Sequence, residues 1–258
     1  MRYFTLGHRL PGFLRKPLFG DRDRFGLEVN LDDPDWNKWQ NDIYQNFYNE
    51  NQRRSIGSIV NDAGYEVMAH VDISGKSILE VGPGDIRHIA YWKGLPSKYV
   101  IADIQSEMLD RASAKLKSRG VVAERALVSR GEKGVLPFSD NEFDIIVSFY
   151  SLEHLYPFES YLAGMLRVLK QGGLLVGAIP NEGGLAWGCG RLLTSRRWFK
   201  NHTTINPDKI ICWEHPNFSE YLLSTLDYRM ERRHQSFWPL LVPSMDLNLV
   251  TRFIYAKR

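Results

Sequence analysis

The sequence predicts a doubly wound α/β fold built on a mostly parallel, seven-stranded sheet. From Lys76 onward, short β-rich runs alternate with helical segments, and parallel strands joined by helices bury such runs on both faces. The chain has 258 residues, of which 43% are hydrophobic and 24% charged, as in globular proteins with a substantial core. One large domain with additions is therefore expected.

Seven segments have the composition of β-strands. The first five should form the parallel part of the sheet, and the last two suit an antiparallel hairpin that closes it. The strands are predicted at residues 77–81, 99–102, 121–128, 143–149, 174–179, 229–237 and 249–256. Because the longest apolar runs are only strand-sized, no transmembrane helix is predicted.

Helices are expected between these strands and in front of them. Ser106 should cap a helix that reaches about residue 118 and stops at Gly120, and residues 158–169 and 218–226 give two more. The stretch between residue 180 and the last of these helices is expected to be irregular. Before the first strand, Asp33-Pro34-Asp35 starts a helix. Its buried face is predicted to contain Trp36, Trp39, Ile43 and Phe47.

A second leading helix is predicted by a stripe of apolar residues at helical spacing. The stripe contains Ile56, Ile59, Val60, Ala63, Val67 and Met68. Residues 1–75 are therefore expected to form an N-terminal strap and lid helices, and residues 76–258 the main domain. An insert at about 181–217 should follow the fifth strand on the substrate side.

Charge and cysteine content restrict the environment. The formal net charge is +3, and the first 20 residues contain four basic side chains and no acidic one. No apolar core of a signal peptide can be drawn there. The two cysteines, Cys189 and Cys212, form neither a CxxC motif nor a disulfide framework. A cytoplasmic protein is expected.

A glycine turn directly after the first strand is the clearest ligand-binding feature. Gly82 and Gly84 lack a Cβ atom, so their backbone can approach a ligand closely. Position 87, where a dinucleotide-binding motif needs a third glycine, is Arg87, and no GxxxxGK[ST] phosphate loop occurs. Asp103 closes the second strand, where a carboxylate can accept both ribose hydroxyls of a nucleoside.

Four short blocks occur in order between residues 76 and 180. They are Glu80-Val81-Gly82-Pro83-Gly84, Asp103 with Met108-Leu109, Leu136-Pro137-Phe138 followed by Phe143-Asp144, and Arg167-Val168-Leu169-Lys170-Gln171-Gly172-Gly173. This ordered set resembles the class I S-adenosylmethionine-dependent methyltransferases, particularly the group that includes the ubiquinone-biosynthesis methyltransferases. The resemblance implies a Rossmann-like methyltransferase fold and S-adenosyl-L-methionine as cofactor.

The resemblance also implies cofactor-binding roles. Glu80, Gly82 and Gly84 would hold the methionine part, Asp103 would bind the ribose hydroxyls and Ile104 would pack on adenine. Glu132 could accept from the adenine amino group, with the Lys133 backbone beside it. The sequence departs from the family at Ile86, where many members have a third glycine, and at Gln171, where proline is usual. Ile86 leaves the detailed shape of the turn open.

Catalytic candidates follow the fourth strand and end the insert. If the acceptor is a hydroxyl, its proton must be removed, and His154 or His215 has the intrinsic pKa for a general base. Glu153 or Glu214 would orient that histidine. No metal site is predicted, because the loose set of possible ligands lacks a metal-binding spacing. That set is His202, Asp208, Cys212, Glu214 and His215.

The acceptor is predicted only by the character of the insert. Its tryptophans and arginines suit a polar ring, so O-methylation of a small-molecule or sugar hydroxyl, as in a glycan or glycolipid precursor, is the leading interpretation. The alternatives are an RNA or protein methyltransferase, supported by a basic cluster at residues 191–200, and a cofactor-binding protein without transferase activity. Nucleic acid is the less favoured partner. The basic and aromatic N-terminus also suggests peripheral membrane contact.

Overall fold

Seven strands form a single sheet in the order β3-β2-β1-β4-β5-β7-β6, so the predicted fold class is confirmed. The computed structural model describes residues 3–47, 56–129 and 131–258. The strands are β1 (Ser77–Val81), β2 (Lys98–Asp103), β3 (Ala123–Leu127), β4 (Phe143–Phe149), β5 (Leu169–Pro180), β6 (Met230–Trp238) and β7 (Val250–Lys257).

The pairing directions bring several strand ends to one edge of the sheet. β1 pairs in parallel with β2 and β4, β2 with β3, and β4 with β5. β7 runs antiparallel to β5, and β6 antiparallel to β7, which is the predicted closing hairpin. Val250 pairs with both Pro180 and Trp238. The loop between β6 and β7, residues 239–249, therefore lies at the same edge as the carboxyl ends of the parallel strands.

Helices cover both faces of the sheet and the edge at which the parallel strands end. They are α1 (Gly12–Phe19), α2 (Arg22–Phe25), α3 (Pro34–Lys38), α4 (Tyr44–Phe47), α5 (Ile56–Tyr65), α6 (Ser106–Lys117), α7 (Phe158–Val168), α8 (Leu185–Leu193), α9 (Ser195–His202), α10 (Pro207–Glu214) and α11 (Ser219–Arg229). The π-helical turn Trp39–Ile43 joins α3 to α4. No helix in the described ranges is long and apolar enough to cross a membrane.

Two local predictions were wrong. Ser106 is the first residue of α6 rather than its cap; Gln105 occupies the N-cap position without a side-chain hydrogen bond. The stretch after residue 180 is not irregular, because it folds into α8, α9 and α10. At α10, Asn206 caps the helix and Pro207 begins it. This start signal has the same form as the one at Asp33.

The leading helices and the insert share an aromatic core. Trp36 and Trp39 are buried, as predicted, and they pack with Phe199 and Trp213 of the insert. Asp33 accepts hydrogen bonds from the first backbone amides of α3, also as predicted. The two segments therefore form a joint cover over the sheet edge.

In α5 and the 3₁₀ turn Glu66–His70, most of the predicted stripe is buried. The buried members are Val60, Ala63, Val67 and Met68. Ile59 is 58% exposed, so its prediction was wrong: the face that contacts the sheet is narrower than the stripe. The side chain of Ile56 lies outside the described residues.

Candidate active site

The glycine turn after β1 keeps a left-handed backbone at three alternate positions. Gly82, Gly84 and Ile86 have φ angles of 67°, 52° and 44°. Ile86 thus adopts the conformation that a third glycine would favour, at a backbone cost of about 1–2 kcal/mol. Its side chain is fully buried, which contributes about 1.5–3 kcal/mol in return. Isoleucine at this position therefore still has a left-handed backbone conformation.

A buried hydrogen-bond network supports this turn from behind. Tyr99 Oη donates to Glu80 Oε2 over 2.6 Å, and His88 Nε2 lies 2.9 Å from Glu80 Oε1. Trp92 Nε1 donates to His88 Nδ1 over 3.0 Å, so the proton of a neutral His88 ring resides on Nε2 and is donated to Glu80. Both oxygens of Glu80 thus have donors within the protein. Contact of Glu80 with the cofactor stays a prediction.

The predicted nucleoside-binding residues follow β2 and β3 along the same edge. Asp103 is half-buried and accepts a hydrogen bond from the Gln105 amide over 2.8 Å. Ile104 beside it is 40% exposed, which leaves an apolar surface next to the carboxylate. Glu132 and Lys133 are exposed, and Lys133 Nζ lies 2.5 Å from a carboxylate oxygen of Glu28.

These features fit S-adenosylmethionine. A Cβ added at Gly82 would lie 2.6 Å from Ser151 Cβ, so no side chain fits at this position. The turn therefore presents only backbone atoms there. A carboxylate and an apolar side chain adjoin the turn, as a ribose and an adenine ring require. The individual assignments of Gly82, Gly84, Asp103, Ile104, Glu132 and Lys133 stay predictions.

The structure brings the three predicted catalytic residues together. The rings of His154 and His215 lie with their centroids 4.7 Å apart, and His154 Nε2 is 3.9 Å from Glu153 Oε1. His154 Nδ1 contacts the backbone carbonyl oxygen of Glu214. Because a carbonyl can only accept, Nδ1 carries the proton of the neutral ring. The lone pair of Nε2 is then available to receive another proton.

Glu153 is an enclosed carboxyl group with unused hydrogen-bonding capacity. Its side chain is 2% exposed, and Oε2 has no hydrogen-bond partner among the described residues. Burial raises the pKa of Glu153 to about 7, although the nearby His154 acts to lower it. A carboxyl group with this pKa can change protonation state near neutral pH, as acid–base residues do.

Glu182 belongs to the same cluster and was not predicted. It is fully buried, forms an ion pair with Arg191 and accepts a hydrogen bond from Trp187 Nε1 over 2.7 Å. Its Oε1 atom also lies 2.8 Å from His215 Nδ1. Burial acts to raise the pKa of Glu182, but the charge of Arg191 and the contacts with Arg191 and His215 outweigh burial and hold this pKa well below its usual value. The sequence signal was an acid two residues beyond a buried strand.

His215 differs electrostatically from its neighbour. Burial lowers the pKa of His215 to about 4, even though Glu182 acts to raise it. The ring is therefore neutral at pH 7. His215 packs against the His154 ring and contacts Glu182. This packing restricts the orientation of the His154 ring.

A strained backbone position connects the glycine turn to this cluster. Tyr150, directly after β4, has a φ of 52°, and its buried hydroxyl donates to the Val60 carbonyl over 2.8 Å. The next residue, Ser151, donates through Oγ to the Val81 carbonyl over 3.0 Å. Glu153 and His154 follow in the 3₁₀ turn Leu152–His154. Strained residues of this kind concentrate at functional sites.

The remaining members of the loose ligand set have other roles. Asp208 forms an ion pair with Arg196, Cys212 is buried, and His202 stacks on Trp198. Of this set, only Glu214 and His215 contact His154. In the part of the chain that the structure describes, no group of three or more His, Cys, Asp or Glu side chains could hold a metal ion.

Comparison with known proteins bears on the family. Residues 79–177 match the family model described as "Methyltransferase domain". These residues include most of β1, all of β2, β3 and β4, the glycine turn and the Glu153–His154 pair. The chain contains a class I methyltransferase domain. The resemblance predicted from the four ordered blocks is thereby confirmed, and the methyl donor of this class is S-adenosylmethionine.

Curated relatives match the domain but not the whole chain. The "Ubiquinone/menaquinone biosynthesis C-methyltransferase UbiE" of Shewanella sp. (strain ANA-3) is 35% identical over 105 residues, which are 40% of this chain and 41% of that protein. The protein of the same name from Stutzerimonas stutzeri (strain A1501) is 38% identical over 106 residues, with the same shares. The matched part of this chain thus spans about two fifths of the length of these relatives.

Solved structures support the fold. A putative methyltransferase from Bacillus halodurans C-125 superposes with a TM-score of 0.52 at 14% identity, covering 78% of this chain and 99% of that one. An S-adenosylmethionine-dependent methyltransferase from Mesorhizobium loti gives 0.50 at 17% identity, with coverage of 76% and 99%. At these identities the likeness concerns the fold alone.

Proposed function

We propose that this protein transfers a methyl group from S-adenosylmethionine to a small-molecule acceptor that loses a proton in the reaction. The observation that carries the proposal is the position of Ser151. Its Cβ borders the glycine turn at Gly82, and two residues later the same segment reaches Glu153 and His154. A cofactor cradle and a proton-accepting group are thus held by one short stretch of backbone.

The residues of the chain have distinct roles in this proposal. When bound, S-adenosylmethionine supplies an electrophilic methyl group on a positively charged sulfur. Gly82 and Gly84 would hold its methionine part through the backbone, and Asp103 would bind the ribose hydroxyls. His154 Nε2 would receive the proton from the acceptor, and the Glu153 carboxylate would stabilise the resulting imidazolium.

The acceptor atom could be a carbon or an oxygen. The curated relatives are named C-methyltransferases, whereas the sequence interpretation favours a hydroxyl of a small molecule or sugar. Loss of a proton accompanies both reactions, so His154 serves either. The stacking argument for a sugar is weakened, because Trp213 is buried and Trp187 donates to Glu182. Direct support for an RNA acceptor is reduced too, since Arg191 and Arg196 form ion pairs.

Turnover of isotope-labelled S-adenosylmethionine with pools of soluble and lipid-extracted small molecules tests the proposal. We expect label in a small-molecule product and none in RNA or protein. Cofactor binding without transfer to any pool would favour the cofactor-binding protein without activity. Labelled RNA would favour the other alternative, and labelled product would show whether carbon or oxygen receives the methyl group.

Replacing His154 by alanine is expected to lower kcat by about 10²–10⁴-fold, because the proton acceptor is lost. His202→Ala is the matched control. His202 lies outside the proposed site, in the 181–217 insert, and its Nδ1 contacts the Trp198 carbonyl over 2.9 Å as His154 Nδ1 contacts the Glu214 carbonyl. Equal turnover of the two variants would remove His154 from the chemistry.

Glu153→Gln is expected to lower activity and to raise stability at alkaline pH. The folded-state pKa of about 7 lies above the ordinary value, so the stability that protonated Glu153 contributes is present below about pH 4.5 and is lost as pH rises through 7. Glutamine cannot ionise, so the variant should exceed the parent by about 2–3 kcal/mol in unfolding free energy at pH 8. Denaturation at pH 5 and pH 8 measures this. A difference that does not grow with pH would contradict it.

A further inference from the structure

Three segments that are distant in the sequence form an exposed apolar surface near the edge of the sheet at which the parallel strands end. We call it the apolar rim. The segments are the N-terminal strap with α1, the C-terminal end of α8, and the β6–β7 loop. Its members are Phe4, Leu6, Phe13, Leu14, Leu192, Leu193, Leu240, Leu241, Val242 and Leu247.

One carboxylate holds the three segments together. Asp246 of the β6–β7 loop accepts hydrogen bonds from the backbone amides of Leu6 and Gly7 over 2.8 and 3.2 Å. It also accepts from the amide of Leu185, the first residue of α8, over 3.0 Å. Asp246 therefore joins the β6–β7 loop to the N-terminal strap and to the start of α8.

Helix packing extends the rim from α8 to α1. A Cβ added at Gly188 would lie 2.8 Å from the Phe19 ring and 3.0 Å from Leu18 Cβ, so the two helices touch there. Arg196, just beyond α8, donates to the carbonyl of Lys16, so α8 runs back along α1. One turn from the contact, Leu14 and Leu192 then lie on the same side of the helix pair. Both side chains are more than two fifths exposed.

Charge selects the kind of partner. The segments 3–20, 185–202 and 239–249 contain seven basic residues and one acid, Asp246. Five of these bases form ion pairs with acids elsewhere in the chain: Arg9, Arg15, Lys16, Arg191 and Arg196. Attraction to an anionic partner therefore depends on Arg197 and Lys200 of α9, which are exposed near the leucines at the end of α8. Protruding apolar side chains bordered by exposed bases match the headgroup layer of an anionic membrane.

We propose that the apolar rim docks the protein on an anionic lipid surface. The α8 part of the rim belongs to the 181–217 insert, and the β6–β7 loop lies at the carboxyl ends of the parallel strands. Docking would therefore turn the proposed methyltransferase site toward the membrane. An acceptor with a lipid tail could then enter without crossing water. Docking does not require methyl transfer, so the two proposals can fail separately.

Co-sedimentation with phosphatidylcholine vesicles, with and without about 30% phosphatidylglycerol, tests the docking surface. The variant Phe13→Ser/Leu193→Ser/Leu241→Ser removes the most exposed side chain of each segment, with exposures of 75%, 73% and 72%. We expect the parent to bind only the anionic vesicles, less at high salt, and the triple variant to bind at least about tenfold more weakly.

Val122→Ser and Tyr228→Ser are the controls, because these side chains are 87% and 80% exposed away from the rim. Both should bind vesicles like the parent. Absence of vesicle binding by the parent, or equal binding by the triple variant, would overturn the proposal. A parent dimer that the triple variant converts to a monomer would also overturn it, since a second copy would then cover the rim. Calorimetry with S-adenosylmethionine on the same samples reports the methyltransferase site independently.

Discussion

Gly82→Ala is expected to weaken the binding of S-adenosylmethionine by more than about 100-fold. Alanine at a φ of 67° adds backbone strain of about 1–2 kcal/mol. Its Cβ would also lie 2.6 Å from Ser151 Cβ, so the segment that leads to Glu153 and His154 must move. The turn and the catalytic cluster would therefore be displaced together, and turnover should fall with affinity.

Gly75→Ala is the matched control for this change. Gly75 has the same φ of 67°, but a Cβ there would meet nothing within 4 Å. It precedes β1 at the opposite end from the turn. In denaturation, we expect Gly75→Ala to lose only the stability due to the backbone strain, and Gly82→Ala to lose more because of the contact with Ser151. Cofactor affinity should stay normal only in Gly75→Ala. Normal affinity in Gly82→Ala would show that the cofactor does not depend on this turn.

Arg191→Ala is expected to lower the free energy of unfolding by about 3–5 kcal/mol, because it leaves the fully buried Glu182 without its cation. In the parent, the depressed pKa of Glu182 contributes stability above its unfolded-state pKa, and this is lost as pH falls through the folded-state pKa. The variant should therefore differ most from the parent at neutral pH. The difference should narrow below about pH 4.

Two further variants separate buried charge from packing. Arg125→Ala removes a surface ion pair with Asp110 and should change stability by less than about 1 kcal/mol. The double variant Arg191→Met/Glu182→Gln removes both charges of this ion pair and should regain much of the lost stability. A loss in Arg191→Ala that persists undiminished in the double variant and at acid pH would point to packing instead.

The sequence predicted the central part of the sheet well because β1, β2 and β4 are buried on both faces. Each central strand is a short apolar run, and the glycine turn directly follows one of them, so neither depends on distant contacts. Local sequence signals for the start of a helix were equally informative. Asp33-Pro34 predicted α3, and Asn206-Pro207 contained the same information for α10. The latter was obscured by a segment rich in glycine, arginine and tryptophan.

The cluster that we propose to be catalytic could be predicted only in part. His154, His215 and Glu153 were chosen by residue type and position, but the contact between His154 and His215 joins segments about 60 residues apart. Glu182 acquires its character from Arg191 and His215, which approach it only after α8 and α10 have packed. Ile86 shows the same limit, since a residue type alone cannot tell whether the backbone keeps a left-handed conformation.

Calorimetric titration of the full chain with S-adenosylmethionine and its demethylated product tests the central claim most directly. The account predicts binding of one molecule per chain, weakened by about 1–3 kcal/mol in Asp103→Ala because two ribose hydroxyls lose their acceptor. Binding should be retained in the triple variant of the apolar rim. A folded chain that binds neither compound would contradict the account.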